Sequence, residues 1–331
     1  MGSSCSSINN ISTEFKDKPS GCVPCPEGNT PGNPGTFEDI HKKFENLNPK
    51  IFEGARILLK KNISEHFYVT HTFNMNSNMK SILLTNQFQK QYGYKFGAFY
   101  IGTKQVGNTE KYPVLYGDIN PNGHLKATFI HTLGCRYRIK LCTNVKKSKF
   151  INSKASIEYR SDDFTLSVTL VDPIIFKQEG TLVLHFLQAI TSRITLGVEI
   201  AYNAISSSNV GSKTNIAGAF RYSTGFRTIS TTVGQAGVHI CYHQKQSDQL
   251  QMGLEFQSNI IKKLTKFRLL YKLDIPQTNS IFKGFVDSEW KIGAVFEKKL
   301  YPIPKASLAL SGILDHIEQT LHIGIGLIIE K

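Results

Sequence analysis

The 331-residue chain is short of the features that mark most protein classes. It has no long apolar run: no stretch approaches the roughly 20 residues that a spanning helix needs, and runs such as Gly324–Ile329 are brief. With a mean hydropathy of −0.20, a bundle of membrane helices is excluded. Met1–Asn10 is rich in Ser and Asn and lacks an apolar core, so no secretory signal peptide is expected. Acidic residues are also scarce. Asp plus Glu number 25 against 39 Lys plus Arg, a formal charge of +14. Six cysteines offer no disulfide framework. Cys22 and Cys25 form a CxxC, but no second pair follows at zinc spacing, and Cys5, Cys135, Cys142 and Cys241 read as reduced thiols.

Catalytic and nucleotide motifs are missing too. There is no HExxH, no P-loop, no GxGxxG after a strand and no GxSxG elbow. No enzyme activity, cofactor or metal is expected. His239 and His243 share one face of a strand, but their long separation makes them a poor metal pair. The positive charge has no helix-turn-helix, RNP or zinc-finger pattern behind it, so nucleic acid is not an expected partner.

Three regions stand out in what remains. Residues 1–35 are rich in Ser, Asn, Gly and Pro and read as a disordered leader. Its first residues fit the lipidation pattern, with Gly2 the myristoylation acceptor and Cys5 a palmitoylation acceptor. Residues 36–50 predict one short helix. Thr36 and Asp39 resemble a capping box, Phe37, Ile40, Phe44 and Leu47 recur on one stripe, and Asn48-Pro49 ends it. About three turns are marginal in isolation, so this helix must dock through those four apolar residues.

From residue 51 to 331 the hydrophobic period becomes two. Phe164, Leu166, Val168 and Leu170 alternate with Thr165, Ser167 and Thr169. Arg193–Tyr202, Ala236–His243, Leu250–Gln257, Lys266–Asp274 and Leu321–Glu330 repeat the scheme. One face is aliphatic and aromatic. The other carries Glu158, Glu199, Glu255, Asp274 and Glu297, together with Arg136, Arg138, Lys140, Arg160, Arg193, Lys266, Arg268, Lys272 and Lys291. That face is too polar for the dry core of a sandwich, and the apolar face is too large to leave in water. Apolar side to lipid and polar side to a water-filled lumen satisfies both. The expected fold is an all-β transmembrane barrel of roughly 18–20 strands. Tyr159, Phe164, Tyr202, Phe256 and Trp290 suit interfacial girdles. The competing reading is a soluble β-rich binding protein with the apolar face sealed between sheets.

Several stretches in order resemble the channel-forming subunit family of the translocase of the outer mitochondrial membrane. They are Asn33-Pro-Gly-Thr-Phe-Glu38, Gly102-Thr-Lys-Gln105, Pro113-Val-Leu-Tyr-Gly-Asp118 and Glu158-Tyr-Arg-Ser-Asp-Asp-Phe-Thr165, then Gly234-Gln-Ala-Gly237, Ser247-Asp-Gln-Leu-Gln251, Phe282-Lys-Gly-Phe-Val-Asp287 and Glu297-Lys-Lys-Leu300. The resemblance covers about residues 33–331. It implies a barrel of about 19 strands, closed by a parallel pairing of first and last strands, with the helix inside the pore. It also implies a multi-pass protein of the mitochondrial outer membrane that conducts unfolded precursor proteins from cytosol to intermembrane space. Its partners would be precursors and their presequences, receptor and small subunits, and further copies of itself within a complex. His322, Gly324, Leu327 and Ile329 match the family's sorting signal in the last strand. The related voltage-dependent anion channel, a metabolite pore, is the alternative, and a basic lumen would suit it. The chain departs from expectation in its charge, because a basic channel repels cationic presequences on average.

Overall fold

The computed structural model describes residues 32–75, 93–106, 110–147, 149–174, 179–204, 212–300 and 305–330. The leader through residue 31, with the Gly2 and Cys5 lipidation pattern and the Cys22/Cys25 pair, lies outside them. Nineteen strands follow a short helical segment in chain order. They are β1 (Gly54–Asn62), β2 (Phe67–Met75), β3 (Gly93–Val106), β4 (Glu110–Ile119), β5 (His124–Leu133), β6 (Tyr137–Lys146) and β7 (Lys149–Arg160). Next come β8 (Phe164–Ile174), β9 (Glu179–Ala189), β10 (Ile194–Ala204), β11 (Lys213–Ser223), β12 (Arg227–Gly234) and β13 (Gly237–Lys245). The last six are β14 (Leu250–Asn259), β15 (Leu264–Ile275), β16 (Ser280–Asp287), β17 (Lys291–Leu300), β18 (Ala306–Asp315) and β19 (Thr320–Glu330).

Each strand neighbours the next in one sheet, and β1 pairs with β19, so the sheet closes into a barrel. The closing pair is parallel, with Gly54 opposite Gly324 and Lys60 opposite Glu330. An odd number of strands in up-and-down order leaves one like-directed pair, and the seam is where it falls. Closure removes the sheet edges that hydrocarbon would not tolerate.

The predicted alternation has the expected sides. Leu166, Val168 and Leu170 are exposed, whereas Thr165, Ser167 and Thr169 are buried. Leu196, Val198, Ile200, Leu254, Phe256, Phe267, Leu269, Leu321, Ile323 and Ile325 are exposed as well. A soluble sandwich would seal that side, so the β-rich binding-protein reading fails here. Near the strand ends the outer aromatics form a chain of rings, Tyr137 to Tyr159 at 5.1 Å, Tyr159 to Phe164 at 5.9 Å and Phe164 to Phe186 at 5.8 Å. No helix among the described residues is long and apolar enough to cross a membrane; the strands are the spanning elements.

The helical segment is shorter than the periodic stretch over 36–48. It consists of one 3-10 turn, Phe37–Asp39, and one α-turn, α1 (Lys42–Glu45). Thr36 does not cap the backbone; its Oγ1 donates to Asp39 Oδ2 at 2.8 Å. Two isolated turns have little intrinsic stability, so wall contacts set their conformation. Contact density divides the chain into two compact units, one comprising the residues up to Ile40, Ala98–Tyr222 and Val233–Gln235, the other His41–Gly97, Ser223–Thr232 and Ala236–Lys331.

Candidate functional site: the inner wall and its strap

Residues 33–53 form a strap on the inner face. In the first unit it begins at Asn33, whose Nδ2 donates to the Ser161 carbonyl at 2.6 Å and to Thr165 Oγ1 at 3.1 Å. Gly35 follows at φ +83°, a left-handed conformation that Gly adopts without strain. Its N–H donates to Asn33 Oδ1 at 2.8 Å, and Arg221 Nη2 donates to the Pro34 carbonyl at 2.6 Å. Phe37 stacks on His185 with centroids 4.8 Å apart, and Ile40 is buried with Leu187 and Ala219. Glu38 pairs with Lys154 and reaches Lys140 Nζ at 3.5 Å. Burial raises the Glu38 carboxyl pKa, but Lys140 and Lys154 outweigh it, and the net shift is downward.

In the second unit the strap continues with His41, whose Nδ1 lies 2.7 Å from Ser230 Oγ. Burial, then His239, push its imidazole down to about 4 against the opposing pull of Glu255, so it is neutral at pH 7. Phe44 and Leu47 are buried with Cys241, Leu270 and Phe285. Gly253 makes that seat possible: a Cβ there would lie 2.8 Å from both Leu47 Cδ1 and Phe44 Cδ2. Farther on, the Phe52 N–H donates to Ser311 Oγ at 3.0 Å. Gly324 lies under that residue, and a Cβ on it would come within 2.3 Å of the Phe52 carbonyl oxygen.

Many of the wall charges are paired. Arg138 Nε lies 2.9 Å from Glu158 Oε2, both side chains nearly inaccessible, and Arg160 adds a contact to Glu158 at 3.6 Å. Opposite register positions on β6 and β7 put Arg138 and Glu158 side by side. His185 Nε2 meets Glu199 at 2.8 Å. In the second unit, Glu255 meets His239 at 2.8 Å and Arg268 at 3.8 Å, while Arg268 also holds Asp287 at 3.1 Å. Lys272 holds Asp274 at 2.8 Å, and Lys291 holds Glu289 at 3.3 Å and Asp315 at 3.4 Å. Lys266 pairs with Glu289 at 2.5 Å. Glu297 attracts Lys283 electrostatically. The structure thus brings together the acids and bases that the alternation separated from the apolar face.

Two basic candidates are placed elsewhere. Arg136 lies in the turn before β6 and Arg193 in the turn before β10, both exposed. The local cause is that each alternating stretch runs one residue or more past the last inter-strand pair, which the pattern by itself cannot mark. In β19, His322 Nδ1 meets Glu53 at 3.2 Å, and Leu327 and Ile329 alternate with the inward Gly324 and Gly326. Sequence reasoning missed Asn33, Lys154, His185, Ser230, Gly253, Leu187 and Leu270. For Leu270 a signal exists, a bulky apolar residue between Arg268 and Lys272 on a polar face; Leu187 has none, because Val183 and Ala189 share its face. Gly253 and Ser230 carry none, because their role depends on what lies above them.

A closed barrel with an apolar exterior, a polar interior and an inner strap defines a membrane porin. A family model for eukaryotic porins matches residues 33–324. The chain is 40% identical over 297 residues to mitochondrial import receptor subunit TOM40 homolog 2 of Drosophila melanogaster, covering 90% of this chain and 84% of that one. It is 40% identical over 314 residues to the TOM40 homolog of Homo sapiens (95% and 81%) and 35% identical over 297 residues to that of Caenorhabditis elegans (90% and 94%). The chain belongs to the eukaryotic porin family, in its TOM40 branch, and is a multi-strand protein of the mitochondrial outer membrane.

Proposed function

We propose that the chain is a protein-conducting channel of this membrane, passing unfolded precursor proteins from the cytosol to the intermembrane space. One observation carries the reading: identity of 40% with mitochondrial import receptor subunits extends over 90–95% of the chain. Transport, not catalysis, is its function class. The partners are precursors with their presequences, and the receptor and small subunits of an import complex holding more than one copy of the chain.

Glu158, Glu255 and Asp274 each pair with an arginine or lysine, Glu297 attracts Lys283, and Glu199 meets the His185 imidazole. A cationic presequence therefore meets a polar surface on which four of these five acids are already offset by lysine or arginine. Contacts of that kind hold a passing chain weakly enough to release it, which conduction requires. They also reduce the conflict between a +14 chain and basic cargo, since Arg138, Arg160, Arg268, Lys272 and Lys291 each face a carboxylate. The metabolite-pore reading needs uncompensated positive wall charge, and the pairing disfavours it.

The test is single-channel conductance of the purified barrel in a planar bilayer, with and without a presequence peptide. Peptide-dependent flickering block is expected. A pore that ignores the peptide and is strongly anion-selective would move the assignment to the metabolite channel. His322, Gly324, Leu327 and Ile329 serve as the sorting signal in this reading. Leu327→Asp is expected to block membrane integration, whereas normal integration would remove that role; Leu327 is the residue to change because Gly324 also seats Phe52.

A further inference from the structure

His41, His239 and Cys241 meet where the strap crosses β13, and their donor atoms all lie within 4.8 Å of one another. His239 and Cys241 are alternate residues of one strand and share its inner face. Cys241 Sγ is 3.3 Å from His239 Nε2, and the His41 and His239 ring centroids are 4.4 Å apart. The strap supplies the third donor from a residue nearly 200 positions away in sequence.

We propose that these three residues bind one divalent cation of the zinc class, pinning the strap to the wall. Two imidazoles and one thiolate are the donors that such a borderline-soft ion selects. Tetrahedral zinc holds nitrogen and sulfur donors at about 2.0–2.3 Å, which sets them about 3.3–3.6 Å apart, so the observed spread closes with small rotations of the side chains. His41 carries the kind of outer support that metal-bound imidazoles have, because its Nδ1 is tied to Ser230 Oγ at 2.7 Å. Glu255 Oε1, 2.8 Å from His239 Nε2, stands beside the cluster as the fourth donor. One thiolate and one carboxylate then balance a doubly charged ion. Binding displaces the Cys241 thiol proton to solvent, with no change of oxidation state.

A merely structural cluster needs no thiol at this position, and Cys241 is 1% exposed, which shields the metal–sulfur bond from exchange. The consequence is specific. The ion bridges residue 41 of the strap to β13, so metal adds a tie beside the apolar seat of Phe44 and Leu47, and loss of metal or oxidation of the thiol removes that tie. This inference concerns the strap alone and holds whether the barrel conducts polypeptides or metabolites.

Cobalt(II) is the probe. In the full chain in detergent, with Cys5, Cys22, Cys25 and Cys135 changed to Ser, titration is expected to reach one equivalent. It should bring thiolate-to-cobalt charge-transfer absorption and tetrahedral ligand-field bands, both abolished by zinc(II). Cys241→Ser should remove the charge-transfer band, Cys142→Ser should leave it, and His239→Gln should weaken binding at least 100-fold. Independently, zinc should slow proteolysis within residues 41–47 of the chain with all its cysteines. No charge-transfer band, or a band that survives Cys241→Ser, overturns the site. So does strap cleavage that zinc leaves unchanged while the variants keep their barrel, judged by β-sheet circular dichroism.

Discussion

The two halves of the strap are held by different physics. Residues 33–40 add to the small apolar seat of Ile40 hydrogen bonds from Asn33 and Arg221, an ion cluster at Glu38 and a stacked ring at Phe37. Residues 41–47 rest on apolar burial, with Phe44 and Leu47 sunk over Gly253 and against Leu270 and Phe285. Charge pairing near water weakens with salt and low pH, whereas apolar burial responds to neither. A strap built this way has a half that salt and acid loosen directly and a half whose apolar seat, Phe44 and Leu47, resists both.

The largest effect should come from filling the apolar seat. Gly253→Leu puts a side chain where Phe44 and Leu47 lie, and the overpacking should expel residues 42–48. Hydrogen exchange there should rise to that of an exposed segment; unchanged protection would show that the seat does not hold the strap. Leu47→Ala should weaken docking of the same half by about 2–5 kcal/mol through the cavity it leaves. Phe44→Asp and Phe37→Asp then rank the halves. Phe44 is buried at 5% exposure while Phe37 is only partly covered, so protease cleavage should rise more for Phe44→Asp. The opposite ranking would reverse the comparison.

A smaller loss, about 1–2 kcal/mol after discounting for solvent, is expected for Glu38→Gln, confined to residues 33–40. It should be mimicked by raising salt, and a salt response in residues 42–48 instead would refute the division. The pH effect is smaller still. Because the folded Glu38 carboxyl titrates below its ordinary 4.5, it contributes stability above that value. That contribution is lost as pH falls below 4.5 through the folded pKa. Protection factors in residues 33–40, taken relative to the intrinsic exchange rate at each pH, should therefore fall on acidification, and Glu38→Gln should abolish that fall.

Much of this was legible beforehand. Strict alternation at Phe164–Leu170 separates two faces, and the polarity of the second face excludes a dry core. The Phe37, Ile40, Phe44, Leu47 stripe marks the docking residues, although the helix it suggests is only two short turns. Partnerships were not legible. His239 looked like a neighbour of His243, yet it sits against His41 and Cys241. Arg193 looked like wall and is a turn.

Local periodicity is a property of neighbouring residues, so the sequence alone settled strand identity, facing and the presence of a docked segment. Which charge meets which, where a glycine opens room for Leu47, and how an imidazole reaches a thiol depend on strand register and closure. Those bring together residues separated by 189 and 259 positions, and only the folded chain decides them.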